Sequence, residues 1–130
     1  MDLDLDGTED LVVFDRHGNR TLTFRNQGTP GNISYVPDQS YASLLPPFRE
    51  WVQFIDFNGD GKKDLFTYTT GGIKAYLNTS SGTLSFRSVS EPYLVSLQGS
   101  SRTNILVTYA DYPSISDIDQ DGDYDSLTLS

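Results

Sequence analysis

The sequence predicts an all-β fold, and three observations predict it. An acidic motif, D-x-[DN]-x-D-G-x-x-D, occurs three times, beginning at residues 2, 56 and 117, so that successive copies start 54 and 61 residues apart. Runs alternating between apolar and polar residues with period two follow the first two copies. No stretch carries a convincing helical period. About four short strands fall in each repeat, and four antiparallel strands at this period make a blade of a β-propeller. The expected architecture is a partial β-propeller of two to three four-stranded blades, some incomplete. The acidic motif then forms the hairpin loop joining a blade's first strand to its second.

Taken in order, the elements repeat. After the first acidic loop, Leu11-Val12-Val13-Phe14 is an apolar run of strand length, ended by a turn signal at His17-Gly18-Asn19. Thr21-Leu22-Thr23-Phe24-Arg25 then alternates as a strand with one buried face does. A further strand fits at 33–36, and 40–45 has room for a short helical turn before Pro46-Pro47 stops it. An entering strand at 51–55 leads to the second loop. Leu65-Phe66-Thr67-Tyr68, the turn Gly71-Gly72 and the alternating Ile73-Lys74-Ala75-Tyr76-Leu77 copy the first repeat, with another strand around 84–89. Asn26 and Asn78 end the alternating strands at equivalent places. The entering strand of the third loop is 114–116. Residues 1–130 thus read as one repeat region: part of a blade at 2–37, a full blade at 49–90 and the start of a third at 113–130. The stretch 91–112 is a long connection with a β-rich segment at 105–109, which reads as an extra strand or a blade-specific insertion.

Net charge is −9, from 18 Asp+Glu against 9 Lys+Arg. This balance argues against nucleic acid or an anionic membrane surface as a partner, since both repel it. No apolar run approaches the roughly 20 residues of a membrane span. The absence of cysteine excludes disulfides, thiolate metal sites and thiol catalysis. With 36% hydrophobic residues the chain can build a core, so its acidity is not the mark of disorder.

The acid is concentrated in the three loops. Oxygen ligands at loop positions 1, 3 and 5 can converge on one cation if the chain curls tightly after position 5, which Gly at position 6 permits. Position 7 can add its backbone carbonyl and position 9 a closing carboxylate. The candidate ligands are Asp2, Asp4, Asp6, Asp10 and the Thr8 carbonyl in loop one. In loop two they are Asp56, Asn58, Asp60, Asp64 and the Lys62 carbonyl. In loop three they are Asp117, Asp119, Asp121, Asp125 and the Asp123 carbonyl. All-oxygen sites of this kind suit Ca²⁺ better than Mg²⁺, which demands a stricter octahedron. Asp, Asn and Gly are also turn formers, but a turn does not need three or four carboxylates held together. An EF-hand is excluded because its bidentate Glu at position 12 is replaced by Val13, Thr67 and Thr128, and because the flanks are β-like. Loop two, with fewer acids and the adjacent Lys62 and Lys63, should attract a cation least. Loop one lacks a preceding strand to hold it, which argues against its order.

Catalysis finds little support. Eleven acids are accounted for as side-chain ligands, and the seven left, Glu9, Asp15, Asp38, Glu50, Glu91, Asp111 and Asp123, show no spacing that picks out a catalytic pair. The single histidine, His17, sits in a Gly-containing turn and reads as a solvated turn residue. Most of the aromatic rings lie in strands and are expected in the core, which leaves Tyr41, Tyr93 and Tyr112 as candidates for exposed contacts.

The strings DLDLDGTEDLVVF, DFNGDGKKDLFTY and DIDQDGDYDSLTL resemble FG-GAP/VCBS repeats, found in integrin α-subunit propellers and in many secreted bacterial proteins. The resemblance spans nearly the whole chain except 91–112. It implies a calcium-stabilised propeller, usually of seven blades, with the metal residues already named. Ser126 stands where the family usually has an apolar residue, a departure that bears on the register of the final strand. The resemblance also implies an extracellular or cell-surface setting. With acid directly after Met1 in place of a leader, the expectation is an excised part of a larger secreted protein. The expected role is a non-catalytic calcium-binding scaffold for adhesion, with carbohydrate or an extracellular protein as partner. The alternative is the propeller part of a secreted polysaccharide-degrading enzyme.

Overall fold

The computed structural model describes residues 1–89 and 91–128. Ser90 in the expected blade two and residues 129–130 of the expected blade three lie outside the described residues. The fold is all-β, built of small antiparallel sheets, none of them closed. Strands β1 (Leu11–Asp15), β2 (Arg20–Asn26) and β3 (Tyr35–Pro37) form a three-stranded sheet in that order. A 3₁₀ helix at Gln39–Leu44 follows, where a short helical turn is expected, and Asp38 caps it by accepting from the Ser40 N–H. Strands β4 (Val52–Ile55), β5 (Asp64–Thr69), β6 (Gly72–Asn78) and β7 (Phe86–Ser88) make a four-stranded meander, the one complete blade among the described residues. Strands β8 (Val95–Gln98) and β9 (Ser101–Asn104) pair as a hairpin, and β10 (Ser114–Ser116) pairs with β11 (Asp125–Leu127).

Register relates the three blades. Ile55 pairs with Asp64 and Ser116 with Asp125, each pair closing an acidic loop. Met1 and Asp10 exchange the same backbone bonds, Asp10 N–H to the Met1 carbonyl at 2.9 Å and the Met1 ammonium to the Asp10 carbonyl at 3.2 Å. Met1 therefore occupies the last position of a blade's first strand, and loop one is closed like the others rather than loose. The final strand keeps the common register despite Ser126.

Strand β5 is buried at four successive residues, Asp64 to Thr67, because both faces are covered. Leu65 faces a core shared with blade one: Met1, Leu3, Leu45, Phe48 and Leu84. Phe66 faces the opposite core, with Trp51, Ile73, Ala75 and Val107, against which Ile115 of β10 packs. An apolar run rather than a strict alternation is what a strand covered on both sides requires.

The segment 105–109 is not a strand. The hairpin forms just before it, around Gly99, and Val107 is buried in the second core while the Ile105 N–H reaches the Leu94 carbonyl at 3.3 Å. Packing of two side chains overrides the strand propensity of Ile-Leu-Val-Thr-Tyr. Tyr41 is likewise corrected: it packs against the first core rather than standing free. Tyr93 lies over Gly71, whose φ of +93° makes the tight β5–β6 turn. Only Tyr112 of the three is exposed, and its hydroxyl accepts from Arg16 at 3.0 Å. Arg16 also holds Glu50 at 3.0 Å and the Tyr109 carbonyl at 3.1 Å, tying three connections together.

Candidate metal loops

Each acidic loop is built by the same five hydrogen bonds. The first Asp takes two backbone N–H groups: Asp2 from Asp6 and Gly7, Asp56 from Asp60 and Gly61, Asp117 from Asp121 and Gly122, at 2.8 to 3.2 Å. The third residue, Asp4, Asn58 or Asp119, accepts from the N–H of position 5 at 3.2 to 3.3 Å. Position 5 accepts from the N–H of position 7: Asp6 from Thr8, Asp60 from Lys62, Asp121 from Asp123, at 2.7 to 2.9 Å. The fifth bond runs from the N–H of position 2 to the position-9 carboxylate, at 2.7 Å for Leu3–Asp10 and 2.9 Å for both Phe57–Asp64 and Ile118–Asp125.

Backbone N–H groups thus curl the chain around the side chains of positions 1, 3 and 5. Carboxylate oxygens of Asp2, Asp4 and Asp10 lie within 4.8 Å of one another, as do those of Asp117, Asp119 and Asp121. Loop two carries Asn58 at its third position, whose amide also bonds Asp60 at 3.2 Å. The donor set is oxygen throughout, the chemistry of a hard divalent cation. The Lys62 N–H, joined by the Asn58 amide and the Lys62 charge and opposed by burial, holds the Asp60 carboxyl below its ordinary value of 3.8.

The comparison with known families follows this geometry. A sequence model of the FG-GAP-like repeat matches residues 2–67 and again 56–128, each match running from one acidic loop through the next. The chain belongs to the FG-GAP-like repeat family. It is a β-propeller-like repeat module of a family whose members are generally structural or binding modules. No curated protein and no solved structure gives a significant match.

Within the FG-GAP-like repeats the position-9 aspartate has a second task that the spacing did not reveal. Asp64 is fully buried, and its other oxygen accepts the Asn78 N–H at 2.8 Å, joining the loop to the end of β6. Asp10 does the same for Asn26 at 2.7 Å. The two asparagines close the circuit, since each donates its amide to the carbonyl before that aspartate, Glu9 at 3.3 Å and Lys63 at 3.1 Å. Their side-chain oxygens cap the following turn, on Gly28 and Ser34 from Asn26 and on Ser80 from Asn78. The equivalence of Asn26 and Asn78 was legible; their partner was not.

Position 4 is the other feature missed. Leu5, Gly59 and Gln120 all have φ between +62° and +73°, so the left-handed conformation belongs to the loop and not to its glycine. Of the two lysines expected to weaken loop two, Lys62 donates through Nζ to the Ser80 carbonyl at 3.0 Å, and its charge still acts on Asp60. His17 is exposed in the β1–β2 turn.

Proposed function

We propose that this FG-GAP-like module is a non-catalytic scaffold whose three loops each hold one Ca²⁺ through the side chains of positions 1, 3, 5 and 9 and the carbonyl of position 7. The observation that carries the reading is the threefold return of one oxygen set on one backbone curl. The bound cation neutralises carboxylates that repel one another without it. The protein's part is preorganisation. The loop N–H groups fix the first three oxygens, the Asp–Asn clamp anchors the loop to the blade, and the position-6 glycine makes the turn. Three Ca²⁺ would add six charges and bring the net from −9 to −3.

The setting we propose is extracellular or at the cell surface. Sites with the weak affinity of extracellular modules, about 10⁻⁴ to 10⁻³ M, stay empty at cytosolic calcium. The partner is an extracellular protein or carbohydrate, met by the scaffold in adhesion. At free Ca²⁺ about 100 times the dissociation constant each site adds about 2.7 kcal/mol to folding. Thermal unfolding with EDTA and then with excess Ca²⁺ tests the reading. Chelation should lower Tm by about 10 °C per emptied site, with recovery in Ca²⁺. A Tm indifferent to both rejects it.

A further inference from the structure

The first two repeats can be matched residue for residue, and besides Thr8 for Lys62 and Glu9 for Lys63 within the loops the match shows a cluster of charge differences beside them. Leu11 faces Phe24 as Leu65 faces Tyr76, so Arg25 takes the place of Leu77. Phe24 faces Pro37 as Tyr76 faces Ser88, so Asp38 takes the place of Val89. At loop position 3 Asp4 takes the place of Asn58. Three positions thus change together, from Asn, Leu and Val in blade two to Asp, Arg and Asp in blade one.

The structure places each set side by side. In blade two Asn58, Leu77 and Val89 line one recess of about 210 Å³ with Phe57, Phe66 and Tyr76. In blade one the Arg25 guanidinium lies 3.6 Å from Asp4 through Nη1 and 2.9 Å from Asp38 through Nε. The group is partly shielded, with Arg25 34% and Asp4 19% exposed, so its charge is less screened than that of a free surface pair.

Loops one and three carry the same four aspartates at positions 1, 3, 5 and 9. A cation fixed beside one of these carboxylates lowers that loop's affinity for another cation. We infer that Arg25 is an internal counter-cation that holds Asp4 and weakens loop one as a calcium site. This rests on the proposal that the loops bind Ca²⁺. The guanidinium neutralises one carboxylate in advance and repels an arriving divalent ion. Asp38 moderates the effect by drawing the same guanidinium away from Asp4.

Amide spectra of the ¹⁵N-labelled chain, titrated with Ca²⁺, read the loops separately through Gly7, Gly61 and Gly122, whose N–H groups bond the first aspartate of each loop. Arg25→Gln should lower the Gly7 midpoint about tenfold and leave Gly122 in place. Asp38→Asn should raise the Gly7 midpoint by freeing Arg25 for Asp4, which a purely packing role for Arg25 would not do. It also serves as the test if Arg25→Gln fails to fold. A Gly7 midpoint unmoved by either variant overturns the inference and leaves calcium binding standing. If no loop glycine responds at all, the binding proposal falls and the inference with it.

Discussion

Asp64 offers the sharpest test of the loop architecture, because two roles predict different behaviour without metal. As a ligand alone its loss matters only when Ca²⁺ is present; as a clamp its loss matters always. Asp64→Ala removes the acceptor of the Phe57 N–H at 2.9 Å and of the Asn78 N–H at 2.8 Å. An unpaired buried donor costs about 1–3 kcal/mol. Asn78 is buried, so its N–H should sit at the upper end, whereas Phe57 is partly exposed and water can serve its N–H. Together they give about 3 kcal/mol. Unfolding entropy of about 2.1 cal/mol/K per residue gives roughly 0.27 kcal/mol/K for this chain, and hence a fall in Tm of about 11 °C. The assay is circular-dichroism melting in EDTA. Asp60→Ala is the control: Asp60 is exposed and accepts the Lys62 N–H and the Asn58 amide of its own loop, both within reach of water, so it should cost under about 1 kcal/mol in EDTA. An Asp64→Ala variant that melts in EDTA with the parent, or with Asp60→Ala, refutes the clamp.

Two further outcomes follow from the backbone and from local charge. Leu5 and Gln120 sit exposed at φ of +63° and +62°, so Leu5→Gly and Gln120→Gly should each stabilise by about 1 kcal/mol, read as a higher urea midpoint, while Gly59→Ala should lose a similar amount. Asp15, mainly through the Gly18 N–H, and Asp38, mainly through the Ser40 hydroxyl, are held below the ordinary 3.8. A depressed carboxylate pKa gives stability that is present above the unfolded value and lost as pH falls through the folded one. Asp15→Asn and Asp38→Asn should therefore flatten the fall in Tm below about pH 3.8 and leave its slope near neutrality unchanged.

The strands were legible because blade two is regular: its period-two runs, its Gly71 turn and its acidic loop each point to one answer, and all four strands form. The loops were legible through the fixed places of Asp and Gly. Two things were hidden for a physical reason. The burial of Asp64 depends on β6 returning alongside the loop, a contact between residues 14 apart in sequence that no local pattern encodes. Segment 105–109 reads as a strand by composition, but a strand needs a partner edge, and the edge that forms belongs to β8 and β9. Tyr41 misled similarly: it lies outside the strands, yet burial ahead of the Asp4 charge raises its hydroxyl pKa.

The motif couples a polar loop to an apolar core through its alternation. Positions 1, 3 and 5 carry the oxygen atoms, so position 2 points elsewhere, and the structure shows where. Leu3, 1% exposed, lies in the core between blades one and two with Leu65 and Leu84. Phe57, its counterpart, meets Phe66 edge-on at 5.4 Å and stacks on Tyr124 of loop three at 6.1 Å. The N–H of that same residue is the donor held by the position-9 aspartate, so one residue joins the loop, the clamp and the contact between blades. A force that opens the loop, such as repulsion among its carboxylates, must therefore also disturb inter-blade packing. Neutralising the loop then protects the interface as well as the turn. The motif is best understood as a joint between successive blades, with its charge placed where the cation we propose would lock it.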